Sequence, residues 1–104
     1  GSPHACMITG DFITDQPSAE KLQSLGNCLA KYSAKLPIFA CLGNHDGGSW
    51  AADHDGFPTS EKVSLMLRES RVRLLHNQRV SVMLNRTPIT LIGVETCGRG
   101  NAYL

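Results

Sequence analysis

The chain has 104 residues, of which 41% are hydrophobic and 18% charged, and its formal net charge at pH 7 is +1. This length and composition predict a single globular domain over residues 1–104 and exclude disordered and collagen-like chains. The near-neutral charge argues against a protein that wraps nucleic acid or an anionic membrane, because both need clustered positive charge. The sequence contains neither a secretory signal pattern nor an apolar stretch long enough to span a membrane.

The first half of the chain is predicted to form a strand, a helix and a second strand. Ala5–Ile8 is a short apolar run without alternation, which predicts a parallel strand covered on both faces. Pro17 and Ser18 begin a helix whose apolar residues recur at helical spacing until Pro37. A second apolar run, Ile38–Leu42, follows. A crossover of this length makes the two strands parallel, so the loops after them leave the same edge of the sheet.

The second half is predicted to form a long loop, a helix, a third strand and a hairpin. The loop covers Gly47–Pro58, and the helix opens at Thr59–Glu61 and ends near Ser70. The third strand and the hairpin follow at Val72–Leu75 and at Val80–Leu84 with Ile89–Val94, the hairpin being joined by Asn85–Pro88. The predicted fold class is therefore α/β, with the order strand-helix-strand-helix followed by a strand and a hairpin.

Polar residues follow both predicted parallel strands. Asp11 comes after Gly10, and Gly43-Asn44-His45-Asp46 comes 44 − 11 = 33 residues later, counted from Asp11 to Asn44. Open α/β sheets bind ligands at this edge. Side chains leaving neighbouring strands ~4.8 Å apart can converge on one ion or on two. Aspartate and asparagine oxygens, completed by histidine, suit Mn²⁺, Fe or Zn²⁺. The glycine before each ligand is expected to permit a sharp exit and to leave room for the ion.

An alternative interpretation of these residues is an ordinary turn at each strand end. In such turns, asparagine and aspartate side chains cap backbone amides and take no part in chemistry.

The segments Ile8-Thr9-Gly10-Asp11 and Leu42-Gly43-Asn44-His45-Asp46 resemble the calcineurin-like metallophosphoesterase superfamily in order, spacing and strand context. The block Pro37–Asp46, followed by Leu74–Asn77 and Leu91–Glu95, is most similar to the bacterial phosphodiesterase branch. The resemblance implies part of the metallophosphoesterase α/β sandwich. It also implies hydrolysis of a phosphomonoester or phosphodiester substrate in the intact parent protein.

The resemblance implies a role for each motif residue. Asp11 would be the carboxylate that bridges two divalent metal ions, Mn²⁺, Fe or Zn²⁺, and Asn44 would bind one of them. His45 would face the substrate phosphate as a proton donor or charge stabiliser, and Asp46 would orient His45. The two metals would generate a hydroxide near neutral pH and clamp the phosphoryl oxygens, while the imidazole assists the leaving alkoxide.

The sequence also departs from the family pattern, because the D-x-H and G-H-x-H motifs that complete the metal centre have no match in it. Asp11 and Asn44 alone are too few ligands to hold two metals against water. We therefore expect a middle fragment of the fold that is inactive alone. A second hypothesis is a non-catalytic binding or assembly module that forms a homo-oligomer through exposed sheet edges. A third is self-association that completes an active centre.

Other features support weaker hypotheses. Asp53-His54-Asp55 has the chemistry of a metal site but is more typical of a solvated loop. Trp50 and Phe57 could form a lid over the substrate, although local packing is favoured. The basic stretch Arg68–Arg79 lacks interleaved aromatic residues, so there is no nucleic-acid signature. The expected location is cytoplasmic, although the resembled branch includes membrane-associated and exported enzymes.

Overall fold

The computed structural model describes residues 3–94, so the motif residue Glu95 lies outside the described residues. The elements in chain order are β1 (Cys6–Ile8), α1 (Ala19–Ser33), β2 (Ile38–Ala40), a 3-10 turn (Asn44–Asp46), α2 (Ser49–Ala52), α3 (Glu61–Glu69), β3 (Arg73–Leu74), β4 (Gln78–Leu84) and β5 (Thr87–Gly93). This order confirms the predicted α/β fold class. The strands β1, β2 and β3 are shorter than expected, and the predicted loop 47–58 contains the short helix α2. No helix within residues 3–94 is long and apolar enough to cross a membrane.

The parallel sheet has the order β1-β2-β3, with Ile8 opposite Ala40 in the first pair. The predicted parallel arrangement of the first two strands is therefore confirmed, and the two strands are adjacent. β2 is the central strand and is buried along its whole length. The expectation that the first strand is covered on both faces is wrong, because Met7 is 55% exposed. Within the described residues β1 pairs with β2 alone, and the helices cover one of its faces.

The core lies between the sheet and the helices α1 and α3. Val63 and Leu67 of α3 are fully buried and pack with Ile38 and Ala40 of β2. Apolar residues of α1 and the side chains of β1 that face the helices pack around this cluster; they are Leu22, Leu25, Leu29, Cys6 and Ile8. The predicted start of α1 is confirmed, because the Ser18 hydroxyl accepts a hydrogen bond from the Lys21 amide at 3.2 Å. The two helices thus hold β1 and β2 in place and fix where the loops after them begin.

The hairpin of β4 and β5 turns more tightly than predicted. Leu84 pairs with Thr87, so Asn85 and Arg86 alone form the turn, and Thr87 and Pro88 belong to β5. Asn85 has φ 50° and Arg86 has φ 64°. Positive φ at both central residues is the requirement of the two-residue type I′ hairpin, whose twist matches that of the strands. Asparagine tolerates this conformation, but arginine does so at a cost.

We expect Arg86→Gly to raise the free energy of unfolding by about 0.5–1 kcal/mol, because glycine adopts a left-handed conformation without strain. Urea denaturation of the purified chain measures the change. Arg86→Ala is the control, since it removes the same charge and keeps the strained β-carbon. A glycine variant no more stable than the alanine variant would contradict the assignment of strain to this position.

Candidate active site

The loops that follow β1 and β2 meet at one edge of the sheet, as expected for adjacent parallel strands. The Cys41 amide donates to the Ile8 carbonyl at 3.1 Å, so the two strands stay paired up to their ends. Beyond them, the backbone amide of His45 donates to Oδ1 of Asp11 at 3.2 Å. The Asp11 carboxylate therefore lies against the peptide group that joins Asn44 to His45. Asp11 is thus next to the segment that carries Asn44 and His45.

Asp46 joins the loops that follow β1 and β2. Its side chain is fully buried, with 0% exposure. Oδ2 accepts hydrogen bonds from the amides of Asp11 and Gly43, both at 2.8 Å, and Oδ1 accepts from Phe12 at 2.6 Å and Ile13 at 3.3 Å. Three of these donors are successive amides of the first loop, which turns inward because Asp11 has φ 56°. Such a run of amides forms a concave nest for an anion, here a side chain of the same protein.

The Asp46 contacts correct one expectation about this residue. Asp46 was expected to orient His45, but its two oxygens accept hydrogen bonds from backbone amides, and Nδ1 of His45 lies 3.3 Å from the Thr14 carbonyl oxygen. The alternative interpretation, an aspartate that caps backbone amides, describes Asp46. Burial raises the pKa of the Asp46 carboxyl above its usual value, and the backbone hydrogen bonds oppose that rise.

The His45 imidazole is placed by a backbone atom and an aromatic ring. A carbonyl oxygen can only accept, so the contact with Thr14 is a hydrogen bond when Nδ1 carries the proton, which leaves Nε2 for another partner. The Trp50 ring lies 4.6 Å from the His45 ring, at an interplanar angle of 50°. Sequence reasoning missed Thr14, because a backbone carbonyl leaves no signal in the sequence.

Two glycines permit the close approach of the loops. A β-carbon on Gly10 would overlap the Gly43 backbone, and one on Gly43 would overlap the Asp11 carboxylate. Gly10, with φ 103°, makes the sharp exit that was expected. Gly43 has φ −98°, which any residue can adopt, so it is needed for space alone. The position that a β-carbon would take at either glycine is filled by the neighbouring loop.

The donor types at this edge fit a divalent cation, since the Asp11 carboxylate and the Asn44 amide both offer hard oxygens. They form only part of a ligand set: across residues 3–94, no three or more His, Cys, Asp or Glu side chains gather where they could hold an ion. In the Asp53-His54-Asp55 segment, His54 stacks on the Trp50 ring instead. Of the two possible lid residues, Phe57 is buried in the core, while Trp50 is 39% exposed beside His45.

The chain is similar in sequence to known proteins. Over 51 residues, which is 49% of this chain, the sequence is 41% identical to UDP-2,3-diacylglucosamine pyrophosphatase LpxG of Chlamydia muridarum (strain MoPn / Nigg). The matched part spans 15% of the length of that relative. No solved structure matches the chain. The family model described as calcineurin-like phosphoesterase matches residues 1–95, which include both loops of the candidate site, and the chain belongs to this family.

Proposed function

We propose that this chain takes part in the metal-dependent hydrolysis of a phosphomonoester or phosphodiester, with Asp11 and Asn44 as metal ligands and His45 facing the phosphate. The observation that carries the proposal is the contact of the Asp11 carboxylate with the His45 amide at the carboxyl edge of the sheet. It places the Asp11 carboxylate against the backbone of the segment that carries Asn44 and His45, at the edge where α/β sheets bind ligands. Membership of a phosphoesterase family supports the same chemistry.

Each residue in the proposal has a separate role. A divalent ion bound at this edge would stabilise charge on the phosphoryl oxygens and lower the pKa of a water molecule. His45 is held through Nδ1 at Thr14. When the imidazole carries a proton on both nitrogens, Nε2 would donate to a phosphoryl oxygen or protonate the leaving oxygen. Asp46 is a positioning residue, because its buried carboxylate binds backbone amides of both loops. The remaining metal ligands in this proposal come from outside residues 3–94.

The family and the relative both support the proposed substrate class. LpxG is named as a pyrophosphatase of a nucleotide-linked sugar. We therefore include the pyrophosphate bond of a nucleoside diphosphate compound among the proposed substrates, because the same phosphoryl oxygens would meet the same metal and imidazole groups. A specific nucleic-acid partner is not part of the proposal.

The proposal predicts a particular dependence of hydrolysis on Asp11. Mn²⁺-dependent hydrolysis of bis-p-nitrophenyl phosphate by the purified chain is compared with that of Asp11→Asn and of Asp15→Asn. Asparagine keeps an oxygen for the His45 amide and tolerates the left-handed conformation of residue 11. We expect any rate above the metal-free blank to fall at least about 100-fold in Asp11→Asn and to persist in Asp15→Asn. A rate that survives Asp11→Asn would contradict the role of Asp11.

A second candidate function is an assembly module without catalysis. The observation that favours it is an apolar groove between β1 and the hairpin, which Met7 and Ile92 line together with Phe39 and Leu91. Met7 is 55% exposed and Ile92 is 56% exposed, so this apolar face is open within the described residues. Equal background hydrolysis in wild type and Asp11→Asn would support this candidate. Sedimentation equilibrium would then show a concentration-dependent dimer that Met7→Lys weakens, and a monomeric mass at every concentration would contradict it.

A further inference from the structure

The segment that carries Trp50 is closed on itself and anchored in the core. The Gly48 amide donates to the Phe57 carbonyl at 3.1 Å, and the Gly56 amide donates to the Ala51 carbonyl at 2.6 Å. Phe57, 5% exposed, belongs to the core cluster beneath, and Ala51 is 1% exposed. Such closed loops, packed by their own side chains, hold their residues in fixed positions. The predicted long loop is therefore a platform whose position is set by the core.

Two aromatic side chains of this platform stack on each other. Trp50 and His54 are one helical turn apart, and their rings are parallel within 10° at a centroid distance of 3.8 Å. Nδ1 of His54 lies 2.7 Å from the Trp50 carbonyl oxygen, which fixes the imidazole over the indole. This carbonyl lies in the last turn of α2, where backbone oxygens lack helical partners. The stacked His54 ring restrains the plane of the Trp50 indole, which would be held less firmly without this partner.

The indole in turn lies beside the imidazole of the candidate site. The His45 and Trp50 rings are 4.6 Å apart at 50°, within the range of tilted aromatic contacts. The contact of His45 Nδ1 with Thr14 at 3.3 Å is a single, long hydrogen bond. One such bond only weakly restricts rotation of the ring about the Cβ–Cγ bond. The Trp50 indole restricts the rotation of the His45 ring from one side. Asp46 does not restrict it, because its carboxylate binds backbone amides.

We infer that Trp50, backed by His54, is a positioning residue that sets the ring plane of His45 and so directs Nε2 toward the phosphate. This inference rests on the proposed function for the identity of the phosphate ligand, but the ring geometry stands without it. Misplacing a catalytic group by about 1 Å costs up to about 100-fold in rate, so a support of this kind has a measurable effect.

The test is nuclear magnetic resonance of the labelled chain in three variants. Trp50→Leu removes the aromatic ring, Trp50→Phe keeps a smaller one, and His54→Ala removes the stacking partner. In wild type and Trp50→Phe we expect cross-relaxation between the rings of residues 45 and 50 and a single His45 rotamer in the side-chain couplings. In Trp50→Leu we expect averaged His45 couplings, and in His54→Ala a weaker ring contact. The amide resonances of Phe12 and Gly43 report whether the Asp46 hydrogen bonds persist.

The outcomes separate this inference from the proposed function. Averaged His45 couplings with unchanged Phe12 and Gly43 amides support positioning by Trp50. Unchanged His45 couplings in Trp50→Leu, or a general loss of dispersed resonances that Trp50→Phe does not rescue, would overturn it. Titration with inorganic phosphate in the presence of Mg²⁺ adds the functional arm: Trp50→Leu should need about tenfold more phosphate than wild type to move the His45 ring resonances. No response to phosphate in wild type would contradict the proposed function instead.

Discussion

Replacing Asp46 by asparagine is expected to lower the free energy of unfolding by about 3 kcal/mol or more. The carboxylate accepts four backbone hydrogen bonds in a fully buried position. An asparagine side chain offers one oxygen, and its amino group would point donors at backbone donors. Buried groups left without partners cost about 1–3 kcal/mol each, so the loss exceeds that of an ordinary polar substitution. Urea denaturation, followed by circular dichroism, measures the change.

The matched control for this prediction is Asp15→Asn, an exposed carboxylate in the same loop. It makes the same chemical change and should alter the free energy of unfolding by no more than about 0.5 kcal/mol. Amide hydrogen exchange adds a local measurement, because Phe12 and Gly43 should exchange faster in Asp46→Asn than in wild type. Two aspartate variants with the same unfolding midpoint would contradict the conclusion that Asp46 joins the loops.

Replacing Gly43 by alanine is expected to destabilise the chain by about 2–3 kcal/mol, although alanine adopts its backbone conformation without strain. The new β-carbon would overlap the Asp11 carboxylate and crowd the Asp11 amide. Both groups are held by other hydrogen bonds, the carboxylate by His45 and the amide by Asp46. The loop therefore cannot move aside without losing one of them.

A double-mutant cycle with Asp11→Ala isolates this clash. Alanine at position 11 removes the carboxylate that the Gly43 β-carbon would meet, so the double variant should be at least about 1 kcal/mol more stable than the sum of the single changes predicts. Alanine at position 11 is strained by its left-handed conformation in both the single and the double variant, so this free-energy cost cancels in the cycle. Additive effects would show that the two loops do not approach each other as described.

The sequence was sufficient to predict the edge of the sheet at which the candidate residues meet. The apolar runs before Gly10 and Gly43, with an amphipathic crossover helix between them, predicted parallel strands whose loops leave the same edge of the sheet. The helix opening at Thr59–Glu61 was likewise marked by its local pattern, and the structure places α3 at Glu61–Glu69. These predictions rest on periodicity, which is a property of neighbouring residues.

The partners of the polar side chains could not be predicted in the same way. Asp46 binds the amides of Phe12 and Ile13, residues more than 30 positions away, and every amide is an equally good donor in the sequence. Only the left-handed turn at Asp11 makes these amides converge. Met7 was expected to be buried because its strand is uniformly apolar, but burial depends on what covers the second face.

The central claim, that Asp11 and Asn44 form a cation site at the ends of β1 and β2, is tested most directly by adding Mn²⁺ to the labelled chain and recording paramagnetic broadening. We expect broadening centred on residues 10–12 and 43–45. Asp11→Ala and Asn44→Ala should each weaken the effective affinity for Mn²⁺ at least about tenfold. Broadening centred on residues 53–55, or a pattern that neither substitution changes, would contradict the claim.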